Sequence, residues 1–158
     1  MKPLLPQSFQ QWLVVIAAVI FSQFGLAQMQ TQTDIDNVEI HYVLFPSSMV
    51  TPSTAAALGL TRSENIQLIN VSVRQKQANS PATTPVAAEV TGSYFDLIHN
   101  RPLDFIEVKE KGAIYYLAPV RFPGEDARLK FTFSVKYSAD KPAAEIILNR
   151  HLYRDIAQ

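Results

Sequence analysis

The chain of 158 residues contains no cysteine. That excludes disulfide staples, thiol nucleophiles, thiolate metal sites and lipid attachment to a cysteine behind a leader. Glycine is scarce too. The five glycines are scattered, one of them in the N-terminal segment, so no Gly-rich loop can cradle a phosphate. The single tryptophan is Trp12, so the Cys–Trp core of antibody domains is missing. Charge of one sign does not accumulate: 14 Lys and Arg balance 14 Asp and Glu. Without a basic stripe, neither nucleic acid nor an anionic membrane surface is an expected partner. Long apolar runs are also absent. The longest, residues 12–21 (WLVVIAAVIF), is half the roughly 20 residues a membrane span requires.

That short run does have a role. It follows a leader with one basic side chain, Lys2, and is closed by Ser22 and Gln23. Gly25 and Ala27 then place small residues at −3 and −1 of a cut. A basic leader, an apolar stretch and a small-x-small site are the three parts of a secretory signal. Residues 1–27 are therefore expected to be a signal peptide cleaved near Ala27, with a periplasmic product and no stable membrane insertion afterwards. The alternative is an uncleaved anchor. Residues 28–33 read as a polar spacer, and residues 34–158 as a single domain, long enough to hold a core without staples.

Alternation with period 2 dominates that domain. Leu129, Phe131, Phe133, Val135 and Tyr137 interleave with Arg128, Lys130, Thr132, Ser134 and Lys136, so one face must be core and the other wet. Similar strands are predicted over 38–45, 65–76, 86–95, 103–110, 113–122 and 143–153. Gly92 suggests a bulge or a close approach of backbone. The adjacent Phe105 and Ile106 suggest another bulge, and Pro119 suggests an edge position. Thr51-Pro52, a run of alanines and Gly59 predict one short helix, packed through Leu58, Leu60 and Met49. About seven strands at regular spacing with one short helix predict an all-β, immunoglobulin-like β-sandwich.

A succession of short motifs adds a family reading. His41-Tyr42, Phe45, Ser47-Ser48, Thr51-Pro52, Gly59-Leu60-Thr61-Arg62-Ser63, Asn65 and Asn70-Val71-Ser72-Val73 are followed by Ala113-Ile114-Tyr115-Tyr116-Leu117-Ala118 and Arg121-Phe122. In this order and spacing they resemble the exported proteobacterial family catalogued as domain of unknown function 4426, over nearly the whole mature chain. The resemblance implies a small, exported, β-rich protein and brings no activity and no catalytic residue with it.

Candidate chemistry is thin. His41, His99 and His151 have no ligand spacing. Ser47-Ser48 lies in a loop but lacks a glycine elbow, which favours turn capping over a nucleophile. Glu107 and Glu110, and Glu125-Asp126, sit among Lys109, Lys111 and Arg128, as solvated carboxylates do. No cofactor is expected. The long segment 45–65 is a candidate binding loop: Arg62 and Asn65 either face a partner or close the loop internally. Asn70, among Ile69, Val71 and Val73, needs hydrogen-bond partners if buried and otherwise lies on the wetter face. The strand around Tyr115 and Leu117 is apolar on both faces, so something must cover the second one: the short helix or a partner. Arg62, Asn65, Tyr115 and Leu117 are thus the candidate interaction surface. The expected function is a non-catalytic accessory module of the cell envelope with a protein partner. A small-ligand protein with a cleft near 45–65 is the alternative, and a hydrolase is the weakest reading.

Overall fold

The computed structural model describes residues 31–155. The signal segment, its cleavage site and the first half of the expected spacer lie outside them. Ten strands and one helix follow in order: β1 (Gln32–Ile35), β2 (Val38–Pro46), a 3-10 turn (Ser47–Met49), α1 (Pro52–Ala57), β3 (Ile66–Lys76), β4 (Thr83–Pro85), β5 (Glu89–Phe95), β6 (Asn100–Pro102), β7 (Ile106–Glu110), β8 (Ala113–Arg121), β9 (Asp126–Lys136) and β10 (Ala144–Tyr153).

All pairings are antiparallel. One sheet has the order β1-β2-β3-β8-β7, with β4 on β3; the other runs β10-β9-β5-β6. Among the seven principal strands, the first, second, fifth and fourth form one sheet and the seventh, sixth and third the other. This is the ABED/GFC arrangement of an immunoglobulin-like sandwich. The alternating positions supply a single core from both sheets: Ile40, Tyr42, Ile69, Val71, Val73, Tyr116, Ala118 and Val120 from the first, and Val90, Tyr94, Leu129, Phe131, Phe133, Val135, Ile146 and Leu148 from the second. Tyr94 also ties the sheets together at the rim. Its hydroxyl donates to the Arg121 carbonyl at 3.1 Å and accepts from the Arg121 amide at 3.3 Å.

Three short strands go beyond the predicted seven. Gln32 and Thr33, expected in the spacer, belong to β1, which is joined to β2 by Asp36-Asn37 with Asp36 at φ 55°. Thr83–Pro85, between the predicted strands 65–76 and 86–95, pairs with Arg74–Lys76, where the Arg74 guanidinium grips the Thr83 hydroxyl at 2.6 Å and its carbonyl at 2.9 Å. Asn100–Pro102, between the predicted strands 86–95 and 103–110, pairs with β5. The irregularity at Phe105-Ile106 marks a crossover: β6 lies in one sheet and β7 in the other, and buried Leu103 anchors the passage between them.

Gly92 is a site of close approach, opposite Phe133 of β9. Pro119 opposes Leu68 on one side. On its other side β7 begins only opposite Leu117, so the missing Pro119 N–H is not needed by a neighbour.

Candidate functional site

The loop after β2 is closed from within. Thr51 caps α1, its Oγ1 accepting from the Thr54 amide at 3.2 Å, and Pro52 takes the first helical position. The helix ends where the Leu60 amide donates back to the Ala55 carbonyl at 2.8 Å. Ala55 is the buried residue of the helix, whereas Met49, expected to pack, is exposed. Ser47 is 1% exposed. Its hydroxyl accepts from the Ser63 amide at 2.9 Å and donates to the Ser63 carbonyl at 3.0 Å. It is a clasp, not a nucleophile. Ser47→Ala would leave a buried donor and a buried acceptor unpaired and is expected to cost about 2 kcal/mol in urea unfolding. Ser48→Ala, at a half-buried position, is expected to cost less.

Arg62 and Asn65 serve the same closure. The Arg62 guanidinium donates to the Ser48 carbonyl at 3.0 Å, and Asn65 Oδ1 accepts from the Ser63 hydroxyl at 2.7 Å. They do not share a site with Tyr115 and Leu117, which lie farther along the sheet.

Tyr115 and Leu117 point to the outer face of the first sheet, opposite the core. The strand registers order that face into rows. Phe45, Leu68 and Pro119 form one; Val43, Asn70, Leu117 and Ile106 form the next. One step on lie His41 and Ser72 on one side and Val108 and Tyr115 on the other. The first row is sealed: Leu68 and its neighbour Ile66 are buried on this side of β3, where the 3-10 turn packs. The next rows are not. Val43 is 44% exposed, and Tyr115, Leu117, Ile106 and Val108 are half-buried. The 3-10 turn therefore covers one end of the second face and leaves the middle to solvent.

Asn70 sits in that middle. Its Oδ1 is buried and accepts no hydrogen bond from any described residue. A depression of about 230 Å³ opens beside it, lined by Thr31, His41, Tyr42, Val43, Asn70 and Ser72. A polar rim borders it. His41 Nε2 lies 3.0 Å from Glu39 Oε2, and Lys76 Nζ lies 3.0 Å from Asp34 Oδ2. The Asp34 carboxyl is held below its ordinary range, chiefly by Gln32 and then by Lys76.

Catalytic geometry does not assemble here. Glu39, His41 and Ser72 share the face, but no hydrogen bond joins His41 to Ser72. His99 lies in the β5–β6 turn, and His151 pairs with Asp126 and Tyr153 on β10. Among the described residues no three His, Asp or Glu side chains converge as a metal site would require. Glu107 bonds Lys109 and accepts from the Tyr116 hydroxyl at 3.1 Å. Those partners, Lys109 first, lower its pKa, the opposite of what a general acid needs.

A family model described as "Domain of unknown function (DUF4426)" matches residues 32–155, the whole described sandwich. The chain belongs to the DUF4426 family. A crystal structure of a DUF4426 family protein from Pseudomonas aeruginosa PAO1 is similar, with 34% identity and a TM-score of 0.67, covering 82% of this chain and 98% of that one. No curated protein matches. Two features of this DUF4426 chain that the fold does not require are the half-open outer face and the Asn70 Oδ1 within it.

Proposed function

We propose that this domain is a non-catalytic interaction module of the cell envelope, working in the periplasm after removal of residues 1–27, and that it receives a polypeptide partner on the outer face of the β2-β3-β8-β7 sheet. The observation that carries the reading is Asn70. A buried acceptor without a donor costs about 1–3 kcal/mol. Here it stands among half-exposed Val43, Leu117 and Tyr115, where a partner can bring both apolar cover and an N–H group. Apolar side chains around an amide, with a polar rim, are the composition of a protein interface. A small-ligand cleft under the 45–65 loop is less favoured, because Ala55, Ile66 and Leu68 are buried there.

The test uses a photo-crosslinking side chain placed at Leu117 or, as a control, at Ala139, in cells. Position 117 should capture one defined envelope protein and position 139 should not. The captured chain should begin at or near Gln28. Asn70→Val should raise stability by about 1 kcal/mol while reducing capture. Equal capture at both positions, or none at 117, overturns the docking surface. An intact Met1 in a membrane fraction overturns the cleaved, periplasmic form.

A further inference from the structure

The β5–β6 turn presents Leu97 and Ile98 to solvent, at 72% and 78% exposure. Leu97 has φ 76°, a left-handed conformation that a bulky side chain rarely adopts. The turn is held rather than loose. Asp96 Oδ1 accepts from the His99 amide at 2.7 Å and the Ile98 amide at 3.1 Å, and the Asp96 amide donates to the His99 carbonyl at 3.1 Å. Arg101 braces the same carboxylate at 3.4 Å. The turn therefore holds the two aliphatic residues outward at its tip.

The ground beside the tip is cationic. Leu97 borders a depression of about 320 Å³ whose wall includes Arg128, Lys130, Arg150 and His151. Arg128 and Lys130 are exposed on the outer face of β9, and neither forms an ion pair among the described residues. The nearby acids are engaged: Asp96 in the turn and with Arg101, and Asp126 with His151.

We propose that this tip docks the domain on an anionic lipid surface, with Leu97 and Ile98 entering the acyl boundary and Arg128 and Lys130 meeting headgroup phosphates. The local arrangement matters here, not the net charge, which is near zero. Aliphatic side chains beside a cationic wall match the layered chemistry of an anionic bilayer, apolar below and negative above. The site lies on the other sheet from the Asn70 face, and neither assignment depends on the other.

The absence of cysteine permits a clean test on the chain from Gln28 onward, free of the apolar run 12–21 that would itself bind vesicles. A polarity-sensitive dye is attached at Leu97→Cys or, at the far end of β9, at Ala139→Cys. Each protein is mixed with phosphatidylethanolamine–phosphatidylglycerol vesicles or with phosphatidylcholine vesicles. The dye at 97 should move to an apolar environment on the anionic vesicles only, and the dye at 139 should remain in water. Arg128→Glu with Lys130→Glu should reduce this signal about tenfold. Leu97→Asn with Ile98→Ser should reduce vesicle binding similarly without unfolding the domain, since Asn tolerates positive φ. A dye at 97 that stays in water on bound protein, immersion at both positions, or full binding by Leu97→Asn with Ile98→Ser overturns the proposal. So does burial of the dye at 97 without vesicles, which would make the tip a contact between two copies.

Discussion

Gly92→Ala is expected to destabilise the domain by about 3 kcal/mol. A Cβ at this position would lie 2.5 Å from the Phe133 Cβ, 2.7 Å from the Thr132 carbonyl oxygen and 2.8 Å from the Phe133 Cα. Two of these atoms are main chain, so no rotamer change can relieve the contact. β5 and β9 would have to separate, and β5 is the only strand joining β9 to β6. Gly112→Ala is the control. It has φ 84° with nothing within 4 Å of a built Cβ, so it carries the conformational penalty alone, about 1 kcal/mol. Urea midpoints of the two variants separate steric overlap from backbone strain. Equal, small shifts would mean that the strands part without resistance.

Phe133→Ala is expected to cost about 4 kcal/mol, as large core truncations do. Phe133 is fully buried, and its ring meets Tyr42 of the opposite sheet edge-on, with centroids 5.8 Å apart at 74°. The loss removes the filling between the sheets and an aromatic pair that joins them. Phe95→Ala, at an exposed outer position of β5, should cost under about 0.5 kcal/mol. A Phe133 variant as stable as the Phe95 variant would contradict a single core shared by both sheets. The two large effects come from one pair of opposed residues. The clash at Gly92 is with the Cβ and main chain of Phe133, which alanine retains, so Phe133→Ala does not rescue Gly92→Ala.

Much of this fold was legible in the sequence, for identifiable reasons. β9 alternates without error because one of its faces is core and the other is exposed or half-exposed along its length. The helix was announced by Thr51-Pro52 and Gly59, whose roles are local. The strands that escaped, β1, β4 and β6, have three or four residues each, too few for a period to show. Their identity comes from pairing with a longer neighbour. Only β1 left a trace, in Asp36-Asn37 between two short β-prone segments. Phe105-Ile106 was read as a bulge, because a passage between sheets and a bulge break alternation in the same way.

The candidate surfaces divide similarly. Leu117 and Tyr115 were visible because apolar residues on both faces of a strand demand two covers. Asn70 was noticed as an amide needing partners, and only its register beside Val43 and Leu117 shows where it lies. Arg62 and Asn65 looked available because a sequence does not show the carbonyl and hydroxyl they bond. Leu97 and Ile98 carry no signal in the sequence, since isolated exposed aliphatics are ordinary. Their significance rests on the positive φ and on the cations that β9 and β10 bring beside them.

The wiring of the larger sheet also sets an order in time. Its central pairing joins Ile66–Val71 of β3 to Tyr116–Arg121 of β8, partners about fifty residues apart. Closing so long a loop is slow compared with forming a hairpin. The core cannot begin to seal until most of the chain is present, and the last strand, β10, must still arrive to cover Phe131 and Phe133 from the side. A polypeptide wired in this way stays open late, which is the condition a chain must meet if it is to be threaded across a membrane before it folds.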